Sequence, residues 1–342
     1  MTEDDIKRAT AYLRRSHALW DALCIEDGTR LEAHALAQGE HNANYWFEHP
    51  TSGKRYVLRE NYISQLGLDH QVTYEAAVLH ELENSGRTAK CLYADDSRTL
   101  ADRGMLVMEL LSGKMLDFED DAQLAEAARM LADVHSVTPS KDSPILRPGD
   151  ALADLVAECE RMFSTYRGSA LEDPTVSAYA DRFFAKAREG MAATPDPAEC
   201  NHIISTEMVS AHFLMNADGT PGHIVDWEKA ILGEATRDVA YFLAPTTTIW
   251  DTEFIFTPQE RDRFIERYWA AVDGRFERGN FDARFDAYTQ ANCLRGVTWS
   301  AMTWVLYHDP AHPLKNEKTF EKLKVYLSHD FLEMLACDYY HL

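Results

Sequence analysis

The texture of the chain turns mostly helical near Gly113, and this change limits the folds open to it more than any other feature. Before that point the chain reads as short strands with one helix among them. Residues 31–37 and 43–48 read as two strands joined by the tight turn Gln38-Gly39-Glu40-His41-Asn42. The segment His49-Pro50-Thr51-Ser52-Gly53-Lys54 is rich in residues that reverse a chain, and residues 55–59 return as a strand. Residues 72–82 space Ala76, Leu79 and Leu82 along one helical face, and residues 88–93 and 105–110 read as further strands.

Beyond Gly113 helical spacing takes over. Residues 122–137 set Leu124, Ala128, Leu131 and Val134 on one face, with Asp120 or Asp121 able to cap the start. Helices are also predicted over 151–166, 175–192, 258–272, 281–307 and 316–340. Residues 202–226 interrupt them as a hairpin-like insertion that turns at Asn216-Ala217-Asp218-Gly219. The expected class is α+β. A β-rich lobe over 1–110, opened by an amphipathic N-terminal helix, precedes a helical lobe over 111–342.

A chain of 342 residues implies one large or two coupled domains, and its 46% apolar content can fill a substantial core. The net charge of −22 lacks the basic footprint that nucleic-acid phosphates demand, so nucleic acid is excluded as a partner. An acidic balance favours solubility and attracts cationic substrates. The cysteines Cys24, Cys91, Cys159, Cys200, Cys293 and Cys337 are scattered without a CxxC pair, as free thiols in a reducing cytosol would be. The acidic start Met1-Thr2-Glu3-Asp4-Asp5 lacks the basic opening of a signal peptide, and no apolar run is long enough to span a bilayer. The expectation is a cytoplasmic protein with no membrane partner.

Candidate chemistry concentrates in Ser205-Thr206-Glu207-Met208-Val209-Ser210-Ala211-His212, followed past the insertion by Ile224-Val225-Asp226-Trp227-Glu228. Phosphoryl transfer needs a carboxylate beside the accepting hydroxyl and oxygen ligands for the metal on the phosphates. Glu207 and His212 stand five positions apart, and Asp226 follows the hairpin. This segment resembles the aminoglycoside phosphotransferase and choline kinase family, whose loop reads His-Gly-Asp-x-x-x-x-Asn and whose metal-binding Asp lies in Ile-Asp-Trp-Glu.

Further pieces are similar in the same order from about residue 36 to 245. Tyr56-Val57-Leu58-Arg59 looks like the strand whose basic residue grips the α and β phosphates, and Glu75 looks like its helix partner. Val107-Met108-Glu109-Leu110-Leu111-Ser112-Gly113 is similar to the hinge lying against adenine, and the turn holding Gly39 sits where the family covers the phosphates. Leu131-Ala132-Asp133-Val134-His135 resembles a family helix end. Gly233-Glu234-Ala235-Thr236-Arg237-Asp238 resembles Gly-Asp-Pro-x-x-Asp, in which the second Asp braces the catalytic loop.

The resemblance implies a two-lobed protein-kinase-like fold and an ATP-dependent phosphotransferase acting on the hydroxyl of a small molecule. It gives Glu207 and Asp226 catalytic roles, Arg59, Glu75, Gly39 and Glu109 to the nucleotide, and Asp226 with His212 to Mg2+ or Mn2+. Two positions depart from the family pattern. Glu207 replaces Asp and reaches one methylene further, and His212 replaces Asn with an imidazole better matched to Mn2+ or zinc than to Mg2+. Arg59 in place of lysine keeps a charge that can fork onto two phosphate oxygens.

Family habit and the acidic balance point to a cationic acceptor: an amino alcohol, a choline-like or an aminoglycoside-like molecule. Trp250, Asp251, Arg295, Trp299, Trp304 and Tyr307 are the residues proposed to meet it, with packed core as the alternative role of the aromatics. Two other functions stay open on the same fold. One is a pseudokinase that binds nucleotide or ligand without turnover, and the other is an AMP transferase.

Overall fold

The computed structural model describes residues 1–197, 201–217, 219–310 and 316–342, so Cys200 and Asp218 of the expected turn lie outside the described residues. The chain opens with α1 (Glu3–Arg15), α2 (His17–Leu23), β1 (His34–Gln38), β2 (Asn42–Glu48) and β3 (Arg55–Asn61). It continues through α3 (Gln71–Leu82), β4 (Cys91–Asp95), β5 (Met105–Glu109), β6 (Lys114–Met115), α4 (Asp121–His135), α5 (Ala151–Tyr166) and α6 (Pro174–Ala193). Short strands β7 (His202–Ile204), β8 (Phe213–Met215), β9 (His223–Ile224) and β10 (Ile231–Gly233) follow. The chain closes with α7 (Ala235–Leu243), α8 (Pro245–Asp251), α9 (Pro258–Val272), α10 (Phe281–His308), α11 (Glu317–Tyr326) and α12 (His329–Asp338). Among the described residues, no helix is long and apolar enough to cross a membrane.

Two compact units emerge. The first comprises Met1–Met115, Val137–Leu146 and His212–Ala230. Its antiparallel sheet has the order β1-β2-β3-β5-β4, which makes β3 central. Alternation along β3 divides its side chains between two layers. Tyr56 and Leu58 enter a core with Tyr12 and Leu13 of α1 and Leu19 and Trp20 of α2. Val57 and Arg59 line a cavity instead. Each large apolar side chain removed from water in that core contributes about 1.5–3 kcal/mol. Helix α1 is set by a capping box: Asp5 N–H donates to Thr2 Oγ1 and the Asp5 carboxylate accepts from Thr2 N–H.

The second unit comprises Leu116–Ser136, Arg147–Ala211 and Ile231–Leu342. Helix α10 buries residues around its whole circumference, among them Tyr288, Ala291, Asn292, Leu294, Arg295 and Thr298, as an internal helix must. Its Gly296 lets α8 approach, since a Cβ there would lie 2.6 Å from the Thr246 Cβ. Asp120 is the residue that caps α4, accepting from the N–H groups of Ala122 and Gln123.

Three expectations change. The single helix predicted over 316–340 is two, because Ser328 Oγ accepts the Phe331 N–H and starts α12 afresh. The insertion over 202–226 is not one hairpin: β7 pairs with β10, and β8 pairs with β9. The wholly buried run of β7 needs a partner as apolar as itself, which Ile231 and Leu232 supply. Helices α7 and α8 were not expected at all, being 9 and 7 residues long, too short for a helical period to show.

Candidate active site

In the first unit, β3, α3, the segment after β9 and the turn before β8 bring together the four predicted residues Arg59, Glu75, Asp226 and His212. Arg59 Nη1 lies 2.6 Å from Glu75 Oε1 and 2.9 Å from Asp226 Oδ1, while Arg59 Nε donates to Asn44 Oδ1 at 3.0 Å. The His212 Nε2 atom is 3.4 Å from Asp226 Oδ2. The Val225 N–H donates to the His212 carbonyl at 2.9 Å, tying the Asp226 segment to the end of the preceding loop. Asp226 has φ +70°, a left-handed conformation that costs a non-glycine residue about 1–3 kcal/mol.

Electrostatics keeps the cation of this cluster charged and pushes its buried carboxyls toward the neutral form. Burial works against the Arg59 guanidinium, but Glu75, Asp226 and Glu228 outweigh it and keep its pKa above the ordinary value. Burial pushes the Glu75 carboxyl up, with Arg59 opposing. Glu228 is pushed up to about 8, first by desolvation and then by the Asp226 charge. Its carboxylate accepts from Asn42 Nδ2 at 2.7 Å and Gln65 Nε2 at 3.3 Å, and its carbonyl accepts from Gln71 Nε2 at 2.8 Å. Glu228 therefore joins the start of β2 and the start of α3 to the segment that carries Asp226.

Beside the cluster lies a cavity of about 270 Å³. Val57, Ala89, Met108, Leu214 and Ile224 give it apolar walls, and Arg59, Glu75 and Asp226 give it charge. Apolar walls with a few convergent polar groups are what a small-molecule site requires. Glu109 lines the same cavity, but its carboxylate accepts from Lys54 Nζ at 2.9 Å and Lys90 N–H at 3.3 Å. Partial burial opposes its ionisation, yet these bonds hold it below the usual carboxylate range.

Gly39 sits in the β1–β2 turn, where its N–H donates to the Asn42 carbonyl at 3.0 Å. A Cβ at Gly39 would meet nothing nearer than that carbonyl oxygen, at 3.9 Å. Gly39→Ala is expected to leave the unfolding free energy within about 1 kcal/mol of wild type. With its N–H already used in the turn, the ATP KM should rise less than about threefold. A rise beyond about tenfold in steady-state kinetics would show that this turn does close on phosphate.

Glu207 belongs to the second unit. Its loop is braced by Asp238, which is fully buried and accepts from Ser205 N–H at 2.7 Å and Thr206 N–H at 2.8 Å. His135 Nε2 lies 3.5 Å from the same carboxylate, and His135 Nδ1 is 2.9 Å from the Tyr268 hydroxyl. Thr206 has φ +68°. Where the resembling family has glycine, this chain holds a β-branched residue in the left-handed region, and the Asp238 bonds keep it there. The Glu207 carboxylate lies 2.5 Å from Arg295 Nη2, an α10 residue only 7% exposed.

The profile of the phosphotransferase enzyme family matches residues 32–282, well over half of the chain. The chain belongs to this family. No curated protein matches it by sequence. Among solved structures, the phosphotransferase is similar to the ethanolamine kinase of Plasmodium vivax, with a TM-score of 0.66 at 13% identity, covering 97% of this chain and 90% of that one. It is also similar to the choline kinase of Cryptosporidium parvum, with a TM-score of 0.61 at 13% identity over 98% and 97% of the two chains. A spectinomycin phosphotransferase crystallised with ADP and spectinomycin gives a TM-score of 0.64 at 11% identity over 91% and 94%. Identities this low speak for the fold, a kinase-like α+β architecture with a small antiparallel sheet and a helical lobe.

Sequence reasoning on this phosphotransferase did not single out Asn42 and Asn44, and it quoted Glu228 only as part of a motif. The glycine position held by Thr206 was the one local signal of a special backbone. Of the residues proposed for the acceptor, Trp250, Trp299 and Trp304 pack against the helical core, and Tyr307 is buried. Asp251 accepts from Lys318 Nζ at 2.9 Å and Ser210 Oγ at 3.3 Å.

Proposed function

We propose that this phosphotransferase moves the γ-phosphoryl group of ATP to the hydroxyl of a small molecule. One observation carries the reading: the Arg59 guanidinium, nearly excluded from water, bonds Glu75 and Asp226 at once beside an apolar cavity. A guanidinium fixed by two carboxylates is a ready fork for phosphate oxygens, and Asp226 is an oxygen donor for the metal that nucleotide phosphates carry. In this reading residues 1–110 form the nucleotide-binding lobe and 111–342 the catalytic and acceptor lobe.

The residues present fit a nucleotide-borne cation. Mg2+ is usually held by one or two carboxylates plus substrate phosphates, not by a protein cage. Asp226, with His212 beside it, would hold Mg2+ or Mn2+, and Glu228 is a further carboxylate within its electrostatic reach. The bound cation neutralises phosphate charge. Glu207 orients the acceptor hydroxyl and takes its proton. As the acceptor oxygen bonds to the γ-phosphorus, the bond to the β-phosphate oxygen breaks and ADP leaves. Positioning and charge neutralisation supply most of the acceleration.

Asp226→Asn is expected to lower acceptor-dependent ADP release by about 10²–10³-fold while leaving the thermal transition of the protein near wild type. Release of pyrophosphate in place of ADP would identify AMP transfer. A second reading has its own support: one Asp226 oxygen already accepts from Arg59 and the other faces His212, so a cation must compete for both. That arrangement favours a protein that binds nucleotide without turnover. Such a protein would show a thermal shift with ATP and no ADP release with any acceptor, in Mg2+ or in Mn2+.

A further inference from the structure

The carboxylates around the loop that carries Glu207 already face cations of this chain. Arg295 Nη2 lies 2.5 Å from Glu207, and Arg295 Nε lies 3.5 Å from Glu158 of α5. Asp251, at the end of α8, accepts from Lys318 Nζ at 2.9 Å and from Ser210, three residues beyond Glu207. Arg295 Nη1 is 3.5 Å from the Tyr241 hydroxyl, which burial keeps protonated, its pKa pushed up to about 12. Burial opposes the Arg295 charge as well, but Glu158 and Glu207 sustain it.

The aromatic alternative for holding a cation is also engaged. Trp250 meets Trp299 edge-on at 5.4 Å and Tyr326 at 6.1 Å. Trp304 stacks on Phe320 at 5.2 Å. An ammonium brought beside Glu207 would meet the Arg295 guanidinium, and like charges at such range repel.

We propose that the acceptor is a hydroxyl compound without positive charge, such as a sugar, polyol or hydroxy acid, and that Arg295 is the residue that sets this specificity. It takes the place that the cation of an amine substrate would fill. The inference rests on the phosphotransfer reading above and narrows it.

The test uses the full chain, ATP with Mg2+ or Mn2+, and acceptors in pairs that differ by one charge. Suitable pairs are choline with 3,3-dimethylbutan-1-ol, ethanolamine with ethylene glycol, and glucosamine with glucose. Acceptor-dependent ADP release should favour the neutral member of any active pair by about tenfold or more in kcat/KM. Arg295→Met should move that ratio about tenfold toward the cation, whereas Arg295→Lys should keep the neutral preference. If Arg295→Met does not fold, the wild-type ratio and Arg295→Lys still decide. Preference for the cationic member overturns the inference and leaves phosphotransfer standing. If no pair supports ADP release, phosphotransfer itself fails and the inference falls with it.

Discussion

Arg59→Met is expected to cost about 3–5 kcal/mol of folding stability, because it strands carboxylates that a buried guanidinium now neutralises. Methionine fills much of the same space, so the loss reports charge more than volume. Glu75 and Asp226 lose a partner at 2.6 and 2.9 Å, and Asn44 loses a donor. The sign of the pH dependence follows from the carboxyl groups left behind. Glu75 and Glu228 are already raised by burial, Glu228 to about 8, and without Arg59 both move higher. A carboxyl raised in the folded state contributes stability below its unfolded pKa and loses it as pH climbs through the folded value. The deficit of Arg59→Met relative to wild type should therefore be larger at about pH 8.5 than at about pH 5. Urea unfolding at both values measures it. Equal deficits would mean that Arg59 acts by packing alone.

Asp238→Ala is expected to be comparably damaging, at about 3–5 kcal/mol, the sum of stranded donors that typically cost about 1–3 kcal/mol each. The buried N–H groups of Ser205 and Thr206 would lose their acceptor, as would the histidine that approaches it at 3.5 Å. The φ of +68° at Thr206 would then be unsupported. Hydrogen exchange at Ser205, Thr206 and Glu207 should accelerate far more than exchange in α10. Adding Thr206→Gly should return about 1 kcal/mol, the relief of a left-handed β-branched residue. If the second change restores nothing, strain at this loop is not what Asp238 restrains.

Much of the fold could be read locally. Strand β3 reads as a β-rich run after a strong turn signal and α3 shows helical spacing, so the elements that carry Arg59 and Glu75 were visible one by one. The family-like segments also occur in a fixed order, and order resists chance better than any single piece. What stayed hidden is pairing between distant residues. Nothing in the sequence near Glu207 points to Arg295, 88 positions away, and nothing near Asn42 points to Glu228, 186 positions away. Those partners are selected by packing of the helical core and by the sheet. Backbone strain at Thr206 showed only through the glycine that the resembling family has there, since threonine's own preference runs against the conformation it holds. The break in the last predicted helix turned on one serine hydroxyl, a signal that an apolar period does not contain.

The helices packed on one face of the sheet have a practical consequence for anyone trimming this chain to the region that the family profile matches. Cutting at residues 32 and 282 would remove α1 and α2 and leave only the first two residues of α10. Tyr45, Phe47, Tyr56 and Leu58 would lose their cover on one side, and the other cut would delete the central helix together with Arg295. A fragment drawn to those boundaries would be sticky and incomplete at once. The stretch that the family profile matches leaves out helices that the sheet and the helical core both pack against.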